Sequence, residues 1–175
     1  MTIAGTGLGV KSFMFDPVPA TNPTTFSVEC WFRTRGQLNG LRGVTLIDFG
    51  AGVGGNAGSY DRRMFVDTGG HLGFGTTNGT TTAATSSSTY ADGAWHYAVA
   101  TVSPSDGISL YADGRLVATA TYAAPSLATG YWRFGGDTWN AAFASDYLVG
   151  GLDEVAVYPS VLSAQQVAWH YHADH

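Results

Sequence analysis

Residues 92–120 read DGAWHYAVATVSPSDGISLYADGRLVATA. Side-chain character alternates along the first half. Trp95, Tyr97 and Val99 interleave with His96, Ala98 and Ala100, the period-two pattern of a strand with two different faces. Pro104 to Gly107 interrupts the pattern. Residues 108–120 then form two alternating runs about Asp113-Gly114. That pair accepts positive φ at both central positions of a type I′ turn, so the segment is expected to be a β-hairpin.

The same period extends outward. In FSVECWFRT (26–34), Phe26, Val28, Cys30 and Phe32 share one face, and Ser27, Glu29, Trp31 and Arg33 the other. Further strands are expected at 11–15, 44–49, 63–67, 71–75, 131–135 and 147–158, separated by Asp16-Pro17, Asn22-Pro23, Gly69-Gly70, Asn78-Gly79 and Asp92-Gly93. The threonine-rich stretch at 76–89 reads as a strand and loop with an exposed face. Near the C terminus, Pro159 ends the last strand. Ser163 and Gln166 have capping-box spacing, and Leu162 and Val167 stand at the staple positions. One short helical turn is therefore expected there. Many short strands with regular punctuation make an all-β, antiparallel β-sandwich of jelly-roll type. The 175 residues carry no composition break, so one domain is expected over 1–175.

Composition excludes several classes. Charged residues are only 12% of the chain, the net charge is −5, and Lys11 is the only lysine. No basic patch exists to neutralise phosphates, which argues against nucleic acid. No run approaches the roughly 20 apolar residues of a membrane span. Cys30 is the only cysteine, so neither a disulfide nor a thiolate metal site forms within the chain. It reads as a small buried hydrophobe.

The segment at 92–120 resembles the central signature of laminin G-like domains in the concanavalin A-like lectin/glucanase superfamily: Asp-Gly-x-Trp-His, a strand, a turn, then Leu-Tyr-x-Asp-Gly-x-x-Val. GGLDEVAVYPSVLSAQQV (150–167) resembles that family's closing motif, and FSVECWFRT its early strand. The three occur in the family's order. The resemblance implies a jelly roll of two curved antiparallel sheets. It leaves function open, because the superfamily holds lectins, adhesion domains, glycosidases and spacers.

Catalysis is not expected. Retaining glucanases of this superfamily carry Glu-x-Asp-x-x-Glu, which sets two carboxylates about 5 Å apart. This chain has two glutamates, Glu29 and Glu154, in separate strands. The adjacent Asp153 and Glu154 should point to opposite faces of a strand. A non-catalytic binding module for carbohydrate is expected instead, within a longer secreted or cell-surface bacterial protein. The alternative is a structural or adhesion module that binds protein or spaces its neighbours. Sugar sites need aromatics for the apolar sugar face, with amides, carboxylates or arginine for hydroxyls. Tyr60, Asp61, Arg62 and Arg63 at the end of the Gly-rich loop 50–61 are candidates, as are Asp137, Trp139 and Asn140. The competing reading pairs Arg62 with Asp61 and packs Trp139 over a loop. Trp31, Trp95, Trp132 and Trp169 are expected to pack, and His96 to be a hydrogen-bonded or partly exposed strand histidine.

The resemblance also implies calcium. Related domains hold one Ca²⁺ at the rim through an aspartate of the last strand, matched here by Asp153. Backbone carbonyls near Asp16 and Gly50 are the matching places for the rest of the shell. The alternative is that Asp153 accepts backbone N–H groups or pairs with an arginine.

Overall fold

The computed structural model describes residues 13–35, 43–53, 60–136 and 145–173. Asp137, Trp139 and Asn140 lie outside the described residues, as do residues 54–59 of the Gly-rich loop 50–61. Thirteen strands and one helix occur among the described residues: β1 (Met14–Phe15), β2 (Ala20–Thr21), β3 (Phe26–Thr34), β4 (Gly43–Gly50), β5 (Tyr60–Val66), β6 (His71–Thr77), β7 (Thr81–Thr89), β8 (His96–Ser103), β9 (Gly107–Ala112), β10 (Arg115–Ala120), β11 (Thr129–Phe134), β12 (Ser145–Asp146), β13 (Gly150–Tyr158) and α1 (Ala164–Ala173).

The strands form two sheets. One has the order β1-β11-β4-β5-β6-β7, with β2 also on β11 and β12 on β4. The other has the order β10-β9-β8-β3-β13. All pairings are antiparallel except the two-residue β12–β4 contact, which is parallel. The expected jelly-roll sandwich with a short C-terminal helix is therefore what the chain adopts. The β9–β10 turn has φ of 50° at Asp113 and 75° at Gly114, as the type I′ reading requires.

Alternation explains the layering. Phe26, Val28, Cys30 and Phe32 enter the core between the sheets, with Ile47, Phe49, Met64, Phe74 and Trp132 from the facing sheet. Burial pushes the Cys30 thiol up, so it stays protonated and apolar. The opposite face of β3 is covered as well. Trp31, Tyr97, Val99 and Tyr111 form a second apolar layer with Leu162 and Val167, the two staple residues. Tyr171 stacks on Trp31 at 5.7 Å. Gln166 Oε1 accepts the Ser163 N–H at 2.9 Å, completing the expected capping box. Too short to be stable alone, the helix is held by this apolar face.

Two expectations need correction. A bulge interrupts β13 between Asp153 and Ala156, with φ of 48° at Glu154. Strict alternation therefore fails there, and Asp153 and Glu154 are both exposed. Trp95 and Trp169 are exposed rather than packed, at 38% and 62%. Alternation defines which residues share a face, but not how far the helix shields that face.

Candidate functional site

The N-terminal segment runs along β11 and is broken by prolines. β1 pairs with Arg133 and Phe134, and β2 with Thr129 and Gly130. Between them Pro17 and Pro19 have no N–H to offer the ladder. Asp16 bridges the break: its N–H donates to the Trp132 carbonyl at 2.9 Å, and its Oδ1 accepts the Val18 N–H at 2.9 Å. Asn22 donates its N–H to the Ala128 carbonyl at 2.6 Å with φ of 39°. Positive φ at a non-glycine residue is uncommon, and asparagine tolerates it best.

This segment stands off from the end of β13 and leaves a groove of about 480 Å³. Asp16, Asn22 and Thr24 of this segment line it together with Val157 and Pro159 and with Trp132 of β11. Trp132 is 4% exposed and packs against Phe26 at 5.2 Å and Phe49 at 5.0 Å. Its indole N–H has no hydrogen-bond partner within the protein and is not sealed from solvent. The chemistry on offer is a fixed N–H donor, an amide, a hydroxyl, a carboxylate and aliphatic surface. That mixture suits a polyhydroxylated ligand.

Asp61 and Arg62, expected to touch sugar, are buried instead. Arg62 Nη1 lies 2.5 Å from Asp61 Oδ1, so the competing reading of this pair is the one seen. Arg62 Nε donates to the Pro23 carbonyl at 3.0 Å and Nη2 to the Leu127 carbonyl at 3.5 Å. Asp61 Oδ2 accepts the Leu127 N–H. The guanidinium also sits 4.6 Å over the Phe49 ring. Burial pulls Arg62 below its usual value and pushes Asp61 above its own, while their mutual attraction opposes both shifts. These two residues brace the groove wall through Pro23 and do not form its surface. The ring of Tyr60 is covered by the Arg63 guanidinium at 4.3 Å, so one face of this candidate platform is taken.

Tyr60 begins β5 opposite Gly50, which pairs with Tyr131 near the start of β11. Gly136 and Ser145, which flank the stretch holding Asp137, Trp139 and Asn140, lie beyond the other end of β11 and beside the start of β4.

The calcium positions do not converge among the described residues. Asp16 and Gly50 flank β11 on opposite sides, two strand spacings or about 10 Å apart. One ion with ligands at about 2.4 Å cannot bridge that gap. Asp153 is in the other sheet, opposite Trp31, and its Oδ1 accepts the Glu154 N–H at 3.0 Å. No cluster of three or more His, Cys, Asp or Glu suited to a metal occurs among the described residues.

Other polar clusters were not anticipated from the sequence. Asp48 is gripped by Arg133 at 2.7 Å through both oxygens and by Arg63 at 3.1 Å, all three fully buried. Glu29 accepts from Tyr97 at 2.6 Å and Tyr158 at 2.7 Å, with His170 Nδ1 at 2.9 Å. The β4–β5–β11 register is the signal that aligns the first set, and it is not visible in any one strand. His96, as expected, is hydrogen-bonded: Nδ1 meets Asp113 at 3.0 Å and Nε2 meets Asp92 at 3.2 Å. A second cavity of about 370 Å³, lined by Tyr90, Asp113, Arg115 and His172, lies at that end of the sandwich.

Comparison with known proteins agrees with this architecture. Among curated proteins none matches the sequence. The heptameric SAP-like pentraxin from Limulus polyphemus superposes with a TM-score of 0.70 at 15% identity, over 95% of this chain and 78% of the pentraxin. The CBM40 of Ruminococcus gnavus IT-sialidase, bound to α2,3 sialyllactose, gives 0.61 at 18% identity, over 85% and 83%. A binding domain of botulinum neurotoxin serotype D/C gives 0.64 at 13% identity, over 89% of this chain and 38% of that one. At these identities the likeness is one of fold. A laminin G-like family model described as "Concanavalin A-like lectin/glucanases superfamily" matches residues 10–168, and the chain belongs to that family.

Proposed function

We propose that this chain is a non-catalytic glycan-binding module and that the groove beside Trp132 holds the sugar. One observation carries the reading: Trp132, whose indole N–H has no partner within the protein, lines a groove together with an amide, a hydroxyl and a carboxylate. A ligand that displaces water from this N–H must replace that hydrogen bond or lose about 1–3 kcal/mol, and a sugar hydroxyl can replace it. The fold supports the reading, since structures of the same architecture include a carbohydrate-binding module bound to sialyllactose. Carboxylate geometry favours binding over hydrolysis. Glu29 is committed to two phenols and an imidazole beneath the helix, and Glu154 lies in another strand, at the bulge of β13. The lysine-poor, Gly- and Thr-rich composition supports placing the module in a larger secreted or cell-surface bacterial protein.

An immobilised glycan array tests the proposal. Retention on at least one glycan, weakened in Asn22→Ala, is the expected result. No retention at high glycan density would favour the rival reading, a structural or adhesion module.

A further inference from the structure

We infer that the groove selects an uncharged sugar and that the Trp132 indole N–H is the donor that reads it; this rests on the glycan-binding reading above. Rigidity is the first argument. The indole is wedged between Phe26 and Phe49, and its backbone carbonyl is pinned by the Asp16 N–H. Phe49 in turn is backed by the Arg62 guanidinium. A donor fixed this firmly cannot turn away from a ligand that lacks an acceptor, so such a ligand leaves it buried and unpaired. Sites built around a fixed buried polar group discriminate strongly for that reason.

Charge is the second argument. Among the described residues no lysine, arginine or histidine lines the groove, whereas Asp16 does. The Arg62 guanidinium has no exposed surface and is spent on Asp61, Pro23 and Leu127. A carboxylate or sulfate on the ligand would lose its water, meet Asp16 and find no cation. Hydroxyls fare differently. The Asn22 amide and the Thr24 hydroxyl make no hydrogen bond within the protein, and Val157 and Pro159 offer aliphatic surface to a sugar's C–H face. The opposite-end cavity differs in having basic side chains, Arg115 and His172, beside Asp113 in its lining. An acidic sugar that bound the chain would therefore perturb that end and leave the groove unchanged.

The test is titration of the ¹⁵N-labelled chain with lactose and α2,3-sialyllactose as a matched pair, and with maltotriose and cellotriose. Five tryptophans give five indole signals, and Trp132→Phe identifies the relevant one. A neutral sugar is expected to shift the Trp132 signal. Its sialylated counterpart should bind this groove at least about tenfold more weakly. Trp132→Phe should weaken neutral binding roughly five- to tenfold, the loss of one hydrogen bond. Asn22→Gly, which keeps the positive φ, should weaken it a few-fold. That variant and the parent's own indole shift decide the matter if Trp132→Phe folds poorly. Sialyllactose shifting the Trp132 signal as strongly as lactose would overturn the charge selection and leave the glycan site standing. Neutral sugar bound without movement of that signal would overturn the role of Trp132. Failure of every sugar to bind would bring down the glycan-binding reading itself.

Discussion

Arg62, with no exposed surface, donates its Nε–H to the carbonyl of Pro23, 39 residues away, at 3.0 Å. The bond ties β5 in one sheet to the segment that forms the groove wall. Truncation to Arg62→Ala leaves Asp61 buried without its partner. Stability in urea is expected to fall by about 3–5 kcal/mol. A loss under about 1 kcal/mol would mean that the pair is not a brace.

The helix should separate into residues that matter and one that does not. Val167 is fully buried and Trp169 is 62% exposed. Val167→Ala should cost about 1.5–3 kcal/mol, and Ser163→Ala about 1 kcal/mol through the lost cap. Trp169→Ala should stay within about 0.5 kcal/mol. Equal losses at 167 and 169 in denaturant titrations would refute the docking face.

Much of this was legible in the sequence because it is local. The hairpin at Asp113-Gly114, the capping box at Ser163 and the staple at Leu162 each depend on residues within a few positions. Alternation in FSVECWFRT separated the two faces correctly. The bulge at Glu154 was not legible, since an extra residue leaves the composition of β13 unchanged. Nor was the burial of Asp61 and Arg62, whose partners Pro23 and Leu127 are brought close only by the closed sandwich. The packing role that the sequence assigns to Trp132 agrees with its burial. Its unpaired N–H appears only when the groove is in place.

His96 gives a pH signature. The Asp113 hydrogen bond raises its pKa above the usual value against the effect of burial, and Asp92 adds to the shift. A raised folded-state pKa contributes stability fully present below the unfolded value of about 6.5 and lost as pH rises through the folded value. Melting temperature should therefore decline as pH rises from about 6.5 through the folded-state value. The slope should flatten in His96→Gln, with Tyr90 and Asp113 unchanged. The same slope in parent and variant would assign it to another group.

Calcium is expected to leave the melting temperature unchanged, because Asp16 and Gly50 stand on opposite sides of β11 and Asp153 in the other sheet. Melting in millimolar calcium and in chelator is the check. A rise on the order of 5–10 °C in calcium, absent in Asp153→Ala, would restore a metal staple.

The most direct test of the central claim is a chemical-shift map of the chain saturated with a glycan that it retains. Backbone signals of 21–26 and 157–159, together with the Trp132 indole, are predicted to move as one group. A bound glycan that instead perturbs only Tyr90, Asp113 and Arg115, at the other end of the sandwich, would contradict the assignment of the site.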